Sequence, residues 1–207
     1  MSVSKTYIEW NGGNDPRALE VLRRTGGVIV SPTKVGYIIM TTNSKGLNRK
    51  FDIKDRPRNK PGVILCGSME QLKELAILND EIINFYQDHW DRDILLGCIL
   101  PWSKTGKKYI PDDGSHEYIM DRRETSCFVI RFGTPSEKLA RALWEENNTL
   151  AFASSANPSG KGNRGMVSGI GKKIEAGVDF IIGADNYVAS IQPDKNKENR
   201  YEQGVMV

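Results

Sequence analysis

Short runs of β-branched and aliphatic residues, each cut off by glycine, proline or serine, alternate along this chain with stretches of helical periodicity. That alternation most constrains the fold. Buried strand runs interleaved with amphipathic helices build an α/β unit, whose ligands gather where strands end. Val28-Ile29-Val30 before Ser31-Pro32-Thr33, Gly62 to Cys66, Ile94 to Leu100, Ser126 to Phe132, Leu150 to Ala153 and Val178 to Ile182 read as strands. Asp15 to Arg24 reads as a helix, with Asp15 as N-cap, Pro16 in the first turn and Gly26-Gly27 as the stop. Helices are also predicted over Ser44 to Asp52, Ser68 to Leu75 with a capping box of Ser68 and Gln71, Asp80 to Trp90, Pro135 to Trp144 and Ser168 to Gly177. The polar connection from Ser103 to Thr125 is expected to be exposed and mobile.

A chain of 207 residues fits one large α/β domain with a substantial core, so a single domain spanning 1–207 is expected. Its 39% hydrophobic and 27% charged residues are those of an ordinary globular protein. A net charge of +3 carries no argument for nucleic acid by itself. Cys66, Cys98 and Cys127 are widely spaced in apolar surroundings and read as reduced core thiols. With only His89 and His116 as further ligands, no protein-held metal is expected. No apolar stretch has the length of a signal peptide or membrane span, so a cytoplasmic location is expected.

Two motifs carry the chemistry. Lys54-Asp55-Arg56-Pro57 runs on to Lys60-Pro61 between a predicted helix and a buried strand. The planar fork of Arg56 and the compact charges of Lys54 and Lys60 suit a phosphate or carboxylate. They sit in a wider basic run that holds Lys45, Arg49, Lys50 and Arg58, which reads either as a focus of positive potential or as a solvated helix face. The second motif, Ser154-Ser155-Ala156-Asn157-Pro158-Ser159-Gly160, offers hydroxyl, amide and glycine groups directly after a strand. It reads either as an anion-binding nest or as a plain Asx or Ser turn. The Walker pattern is absent, and no Ser-His-Asp arrangement is evident. Asp179 and Asp185 flank a strand as caps or solvated ends, and Trp90, Trp102 and Trp144 read as packing residues.

With these motifs the chain resembles the Sua5/YciO/YrdC family, best known for its threonylcarbamoyl-AMP synthases. Gly27 to Thr33 with Tyr37 looks like the family's strand and Pro-Thr-x-x-x-Tyr loop, and Lys54 to Pro57 with Lys60-Pro61 like its Lys-x-Arg-Pro segment. Phe128 to Arg131 is similar to its strand ending in arginine, Ser154 to Gly160 to its Ser-x-Ser-Ala-Asn-x-Ser-Gly signature, and Arg200 with Gly204 to its closing segment. The resemblance implies a YrdC-like α/β fold, an open twisted mixed sheet flanked by helices with a positively charged concave face, and no C-terminal Sua5 domain.

For function, the resemblance implies threonylcarbamoyl-adenylate formation from L-threonine, bicarbonate and ATP, with Mg²⁺ on the phosphates, toward N6-threonylcarbamoylation of adenosine in tRNA. Lys54 and Arg56 would hold reacting charge, and Ser155, Asn157, Arg131, Arg200 and Lys60 would bind nucleotide. Thr33 and Tyr37 would line the threonine side. The alternative is a paralogue that keeps its basic face as a binding module for tRNA or double-stranded RNA. Three stretches depart from the family pattern: Lys34 stands where the enzymes carry an acid, Asp91-Arg92-Asp93-Ile94-Leu95 replaces Pro-Gly-Pro-x-Thr, and Val188 to Ile191 replaces a Ser-Thr-Val/Ile strand. The charge-binding half of the site is therefore expected intact and its threonine walls changed.

Overall fold

Runs in which every residue is apolar form strands here because both faces of the sheet are covered, which removes the polar alternation of a half-exposed strand. The computed structural model of the protein describes residues 6–55, 57, 61–191 and 205–206. Among the described residues, nine strands form one mixed sheet in the order β1-β8-β2-β3-β7-β4-β6-β5-β9. They are β1 (Thr6–Glu9), β2 (Ile29–Thr33), β3 (Gly36–Thr41), β4 (Val63–Leu65), β5 (Leu96–Pro101), β6 (Thr125–Ile130), β7 (Ala151–Ser155), β8 (Phe180–Gly183) and the short β9 (Val205–Met206). β7 is antiparallel to both β3 and β4 and so occupies the centre.

The helices are α1 (Pro16–Arg23), α2 (Ser44–Lys54), α3 (Met69–Leu75), α4 (Asp80–Asp91), α5 (His116–Ile119), α6 (Ser136–Asn147), α7 (Lys172–Gly177) and α8 (Asp185–Ile191). On one face, Ala18, Val21 and Leu22 of α1 and Leu139, Ala140 and Leu143 of α6 pack against Ile29, Met40, Ala151 and Phe180. On the other, α2, α3 and α4 bury Leu47, Leu72 and Tyr86 against Ile64, Phe128 and Phe152. Ile174 of α7 and Val188 of α8 cover Val30, Ile39 and Ile181. Beyond α6 the first face opens: Val63 and Cys127 are partly buried and Ile99 is 56% exposed.

Local chemistry accounts for the helix ends. The Asp15 carboxylate accepts from the Arg17 N–H at 2.9 Å, and Ser68 Oγ from the Gln71 N–H at 3.1 Å. Gln71 completes the cap one residue further out than a capping box does, its Oε1 accepting from the Gly67 N–H at 2.8 Å. Asn43 caps α2 and also accepts from the Gly26 N–H, which ties the glycine turn after α1 to the start of α2. Asp179 accepts from the Val28 N–H at 2.9 Å and from both terminal nitrogens of Arg49, at 2.7 and 3.0 Å. That acid is a staple between β8's approach, β2 and α2.

Three segments differ from expectation. The 103–125 connection is packed: Gly106–Tyr109 forms a 3₁₀ turn, Ile119 of α5 and Ser115 just before it are completely buried, and Tyr118 O accepts from the Gly62 N–H at 2.9 Å. The 168–177 helix is split at Gly171, whose φ of +90° interrupts it, leaving a 3₁₀ turn at Val167–Gly169 and α7. Val188 to Ile191 belongs to α8 and not to a strand. Among the described residues no helix is long and apolar enough to cross a membrane.

Tyr37 lies on the α7/α8 face, fully buried. Its hydroxyl donates to Asp185 Oδ1 at 2.5 Å and accepts from the Ala184 N–H at 2.8 Å, while burial first and Asp185 second hold its phenol well above the usual range. Tyr37→Phe leaves two polar groups without that partner, and a loss of about 1–3 kcal/mol is expected in urea unfolding. An unchanged midpoint would contradict this role.

Burial also pushes the Cys66 thiol up and raises Cys127 to about 12 from 9.0. Above pH 9 the unfolded chain releases these protons while the folded chain keeps them, so the unfolded state binds fewer and stability falls as pH rises. The expected loss is about 1.4 kcal/mol per pH unit for each retained proton. Urea midpoints at pH 8 and pH 10.5 test it, and a midpoint that holds or climbs contradicts it.

Candidate functional site

The central strand β7 decides where the site lies. Ser155 pairs with Ile38 across β3, and the ladder continues one step as the Ala156 N–H donates to Tyr37 O at 2.8 Å. The chain then turns through Asn157-Pro158, with Asn157 only 5% exposed. Its Nδ2 donates to Pro158 O at 2.9 Å, while its buried Oδ1 has no hydrogen-bond partner among the described residues. A buried acceptor of this kind is costly unless something else meets it.

Lys54 closes the other side. It is the last residue of α2, after which Asp55 takes the left-handed conformation at φ +49°. Helix carbonyls at this end carry partial negative charge and favour a cation. Only 3% exposed, Lys54 runs inward, and its Nζ donates to Ser155 O and approaches Ser155 Oγ at 3.4 Å. The two sequence motifs are therefore in direct contact at the end of the central strand. Arg56, Lys60 and Arg200 lie outside the described residues.

Beside this contact lies a pocket of about 110 Å³. Val63, Leu65, Val129 and Ala153 line it from β4, β6 and β7, Ile38 from β3 and Thr33 from the end of β2; Val35, Leu95 and Phe132 close it from the loops. Thr33 thus lines the pocket as the sequence suggests, though its hydroxyl is engaged in the β2–β3 turn. It donates to Gly36 O at 2.9 Å and accepts from the Val35 N–H at 3.3 Å. Gly36 has φ +120°, and a Cβ there would sit 2.2 Å from Asn163 Oδ1. That closeness admits Asn163, whose Nδ2 donates to Tyr37 O at 2.9 Å and whose Oδ1 accepts from the Gly165 N–H at 3.0 Å. Asn163 lines the pocket and escaped the sequence reading, because an asparagine among glycines reads as an ordinary turn.

Two nominated residues stand elsewhere. Tyr37 is not among the residues lining the pocket, since strand alternation sends its ring to the α7/α8 face. Arg131, at φ +54°, donates from Nε to Trp90 O at 2.8 Å, stacks its guanidinium 4.2 Å from the Trp90 ring and faces Asp93 at 3.6 Å and Glu137 at 3.8 Å. Its charge is matched by these acids, which is a structural tie between β6, α4 and α6.

The departures at 34 and 91–95 meet each other. Lys34 Nζ donates to the Asp93 carbonyl at 2.7 Å and pairs with its carboxylate at 2.7 Å, so the base and the acid neutralise each other across the pocket rim. The basic run is also partly internal. Lys50 and Lys54 are buried and Arg49 is held by Asp179, leaving Lys45 as the exposed cation among the described residues of that run.

Comparison with known proteins follows the same outline. The Sua5/YciO/YrdC family model, described as "Telomere recombination", matches residues 21–195. The hypothetical protein smu.1377c of Streptococcus mutans UA159 shares 56% identity and superposes with a TM-score of 0.91, over 98% of this chain and 78% of that one. Pyrococcus abyssi Sua5 complexed with L-threonine is 21% identical with a TM-score of 0.65, over 87% of this chain, which spans only half of that protein. Escherichia coli YciO is 21% identical with a TM-score of 0.63, over 86% and 82% of the two chains. At that identity the last two establish likeness of fold. No functionally curated protein matches the chain in sequence. The family model covers most of the chain, and its motifs meet at one strand end: the protein belongs to the Sua5/YciO/YrdC family.

Proposed function

We propose that this protein forms a carbamoyl-adenylate from ATP, bicarbonate and a small amino acid, at the end of β7. The observation that carries the reading is the contact of Lys54 Nζ with Ser155, beside a pocket of amino-acid side-chain size. Attack of the amine on bicarbonate gives a carbamate and releases water. A carbamate oxygen then bonds to the α-phosphorus, the bond from that phosphorus to the bridging β-oxygen breaks, and pyrophosphate leaves with the electron pair. Such chemistry asks for charge stabilisation and positioning more than for a covalent partner.

Three described residues have a part in that scheme. Lys54 turns its ammonium from the Ser155 carbonyl to a phosphate or carbamate oxygen. Ser155 Oγ and, once the turn after β7 opens, the buried and unpartnered Oδ1 of Asn157 offer polar partners to ribose or base at the strand end. Mg²⁺ enters on the triphosphate as part of the substrate. The likeness in fold to a Sua5 complexed with L-threonine supports an amino acid as the amine. Threonine itself is the family's expectation. The RNA-binding alternative draws on surface cations, and the inward course of Lys50 and Lys54 favours the enzyme reading.

Calorimetry with Mg-ATP should show binding by the natural chain. Lys54→Met keeps the apolar stem and should weaken it at least about tenfold, or about 1.4 kcal/mol. No affinity in the natural chain, or equal affinity in the variant, overturns the reading.

A further inference from the structure

After β7 the chain makes a small loop whose two ends are pinned to one atom. Tyr37 O accepts from the Ala156 N–H at 2.8 Å, where the loop begins, and from Asn163 Nδ2 at 2.9 Å, where it ends. Ala156, Asn157 and Asn163 are buried, while Pro158, Ser159, Gly160 and Lys161 between them are exposed. A compact loop with close ends, tied to the core only at its base, opens more readily than the elements that flank it.

The tip holds its own shape. Pro158 O accepts from the Lys161 N–H at 3.0 Å, and Gly160, the third residue of that turn, has the φ of +78° that a type II turn requires. Nothing lies within 4 Å of where a Gly160 Cβ would stand, so the tip is clear of the rest of the molecule at that point. Its seat is the Pro158 ring, which rests against the backbone at Gly171, where a Cβ would lie 3.0 Å from Pro158 Cγ. Gly162, at φ +72°, joins the tip to the anchored Asn163 and can absorb a rotation of the tip as a unit.

Two groups give this loop something to respond to. Asn157 Oδ1 is buried without a hydrogen-bond partner among the described residues, and the turn that covers it must lift before a ligand donor can meet it. Lys161 carries an exposed ammonium that makes no ion pair among the described residues, six positions beyond the Ser155 that Lys54 touches. A triphosphate with its Mg²⁺ is still an anion, and a cation on the loop is drawn to it.

We infer that residues 158–162 form a flap over the nucleotide site, which lifts to expose Asn157 Oδ1 and, on closing over the bound triphosphate, adds Lys161 as a phosphate-binding cation beside Lys54. The inference rests on the reading under Proposed function, which supplies the nucleotide. A ligand shifts a loop only through contacts made in one of its positions, and here these are Lys161 with phosphate and Asn157 Oδ1 with a ribose or base donor.

The test uses the full chain, with affinities for Mg-ATP and AMP read by calorimetry. Trypsin should cut after Lys161 in the free chain, and saturating Mg-ATP should slow that cut at least about fivefold relative to cuts elsewhere in the chain, as mapped by mass spectrometry. Lys161→Ala, at an exposed position, should weaken Mg-ATP at least about fivefold and AMP less than about twofold, because AMP lacks the β- and γ-phosphates. A Lys161 site that stays uncut in the free chain, or is slowed no more than the others, overturns the flap. Equal Mg-ATP affinity in the variant, or an equal loss for AMP, overturns the phosphate contact and the inference with it. In each of these cases Mg-ATP binding by the natural chain leaves the adenylate reading standing. Absence of that binding overturns both.

Discussion

An ammonium group that leaves water must be met by acceptors, or its burial undoes the fold around it. Lys54 is met at the C-terminal end of α2, where helix carbonyls favour a cation, and at the final residue of β7, where Ser155 presents a carbonyl and a hydroxyl. The contact fixes where α2 ends against the sheet and brings two motifs, about a hundred residues apart in sequence, to one point. The short turn after β7, with its buried Asn157, and the apolar pocket beside it take their positions from the same strand end.

The second organising tie lies across the pocket. Read along the chain, Lys34 in the β2–β3 turn and Asp93 after α4 look like two unrelated charges. In three dimensions Lys34 and Asp93 are partners, and Arg131 and Trp90 extend the cluster. These charged residues tie the rim together by ion pairing, while Leu95 and Phe132 beside it supply apolar wall. The Asp93 carboxylate is 68% exposed, so solvent screens this pair; geometry, more than net energy, is its contribution.

How much of this is legible in the sequence differs by element. The helices of Asp15 and Ser68 announce themselves through cap residues that act locally, and the strands through continuous apolar runs. Family motifs locate Lys54, Ser155 and Thr33 at the site. What stays hidden depends on faces and distant partners. Gly36 to Met40 is apolar almost throughout, so nothing in it reveals that Tyr37 turns from the pocket while Ile38 lines it. A lysine-rich helix reads as solvated because charge density does not say which side lies on the sheet, yet Lys50 and Lys54 are buried. Asp179 and Asp185 read as strand-end caps, and each instead gathers long-range donors, from Arg49 and Val28 and from Tyr37 and Val167. Lys34 and Asp93 lie too far apart in sequence for any local signal.

The claim on which the rest depends is that Lys54 and Ser155 form the phosphate end of a nucleotide site. A crystal structure with Mg²⁺ and a non-hydrolysable ATP analogue tests it directly. The account predicts a phosphate oxygen within about 3 Å of Lys54 Nζ, the distance of a charge-assisted hydrogen bond, with the nucleotide running past Ser155 and Asn157. Nucleotide bound elsewhere on the sheet, with Lys54 still confined to the Ser155 carbonyl, would contradict it.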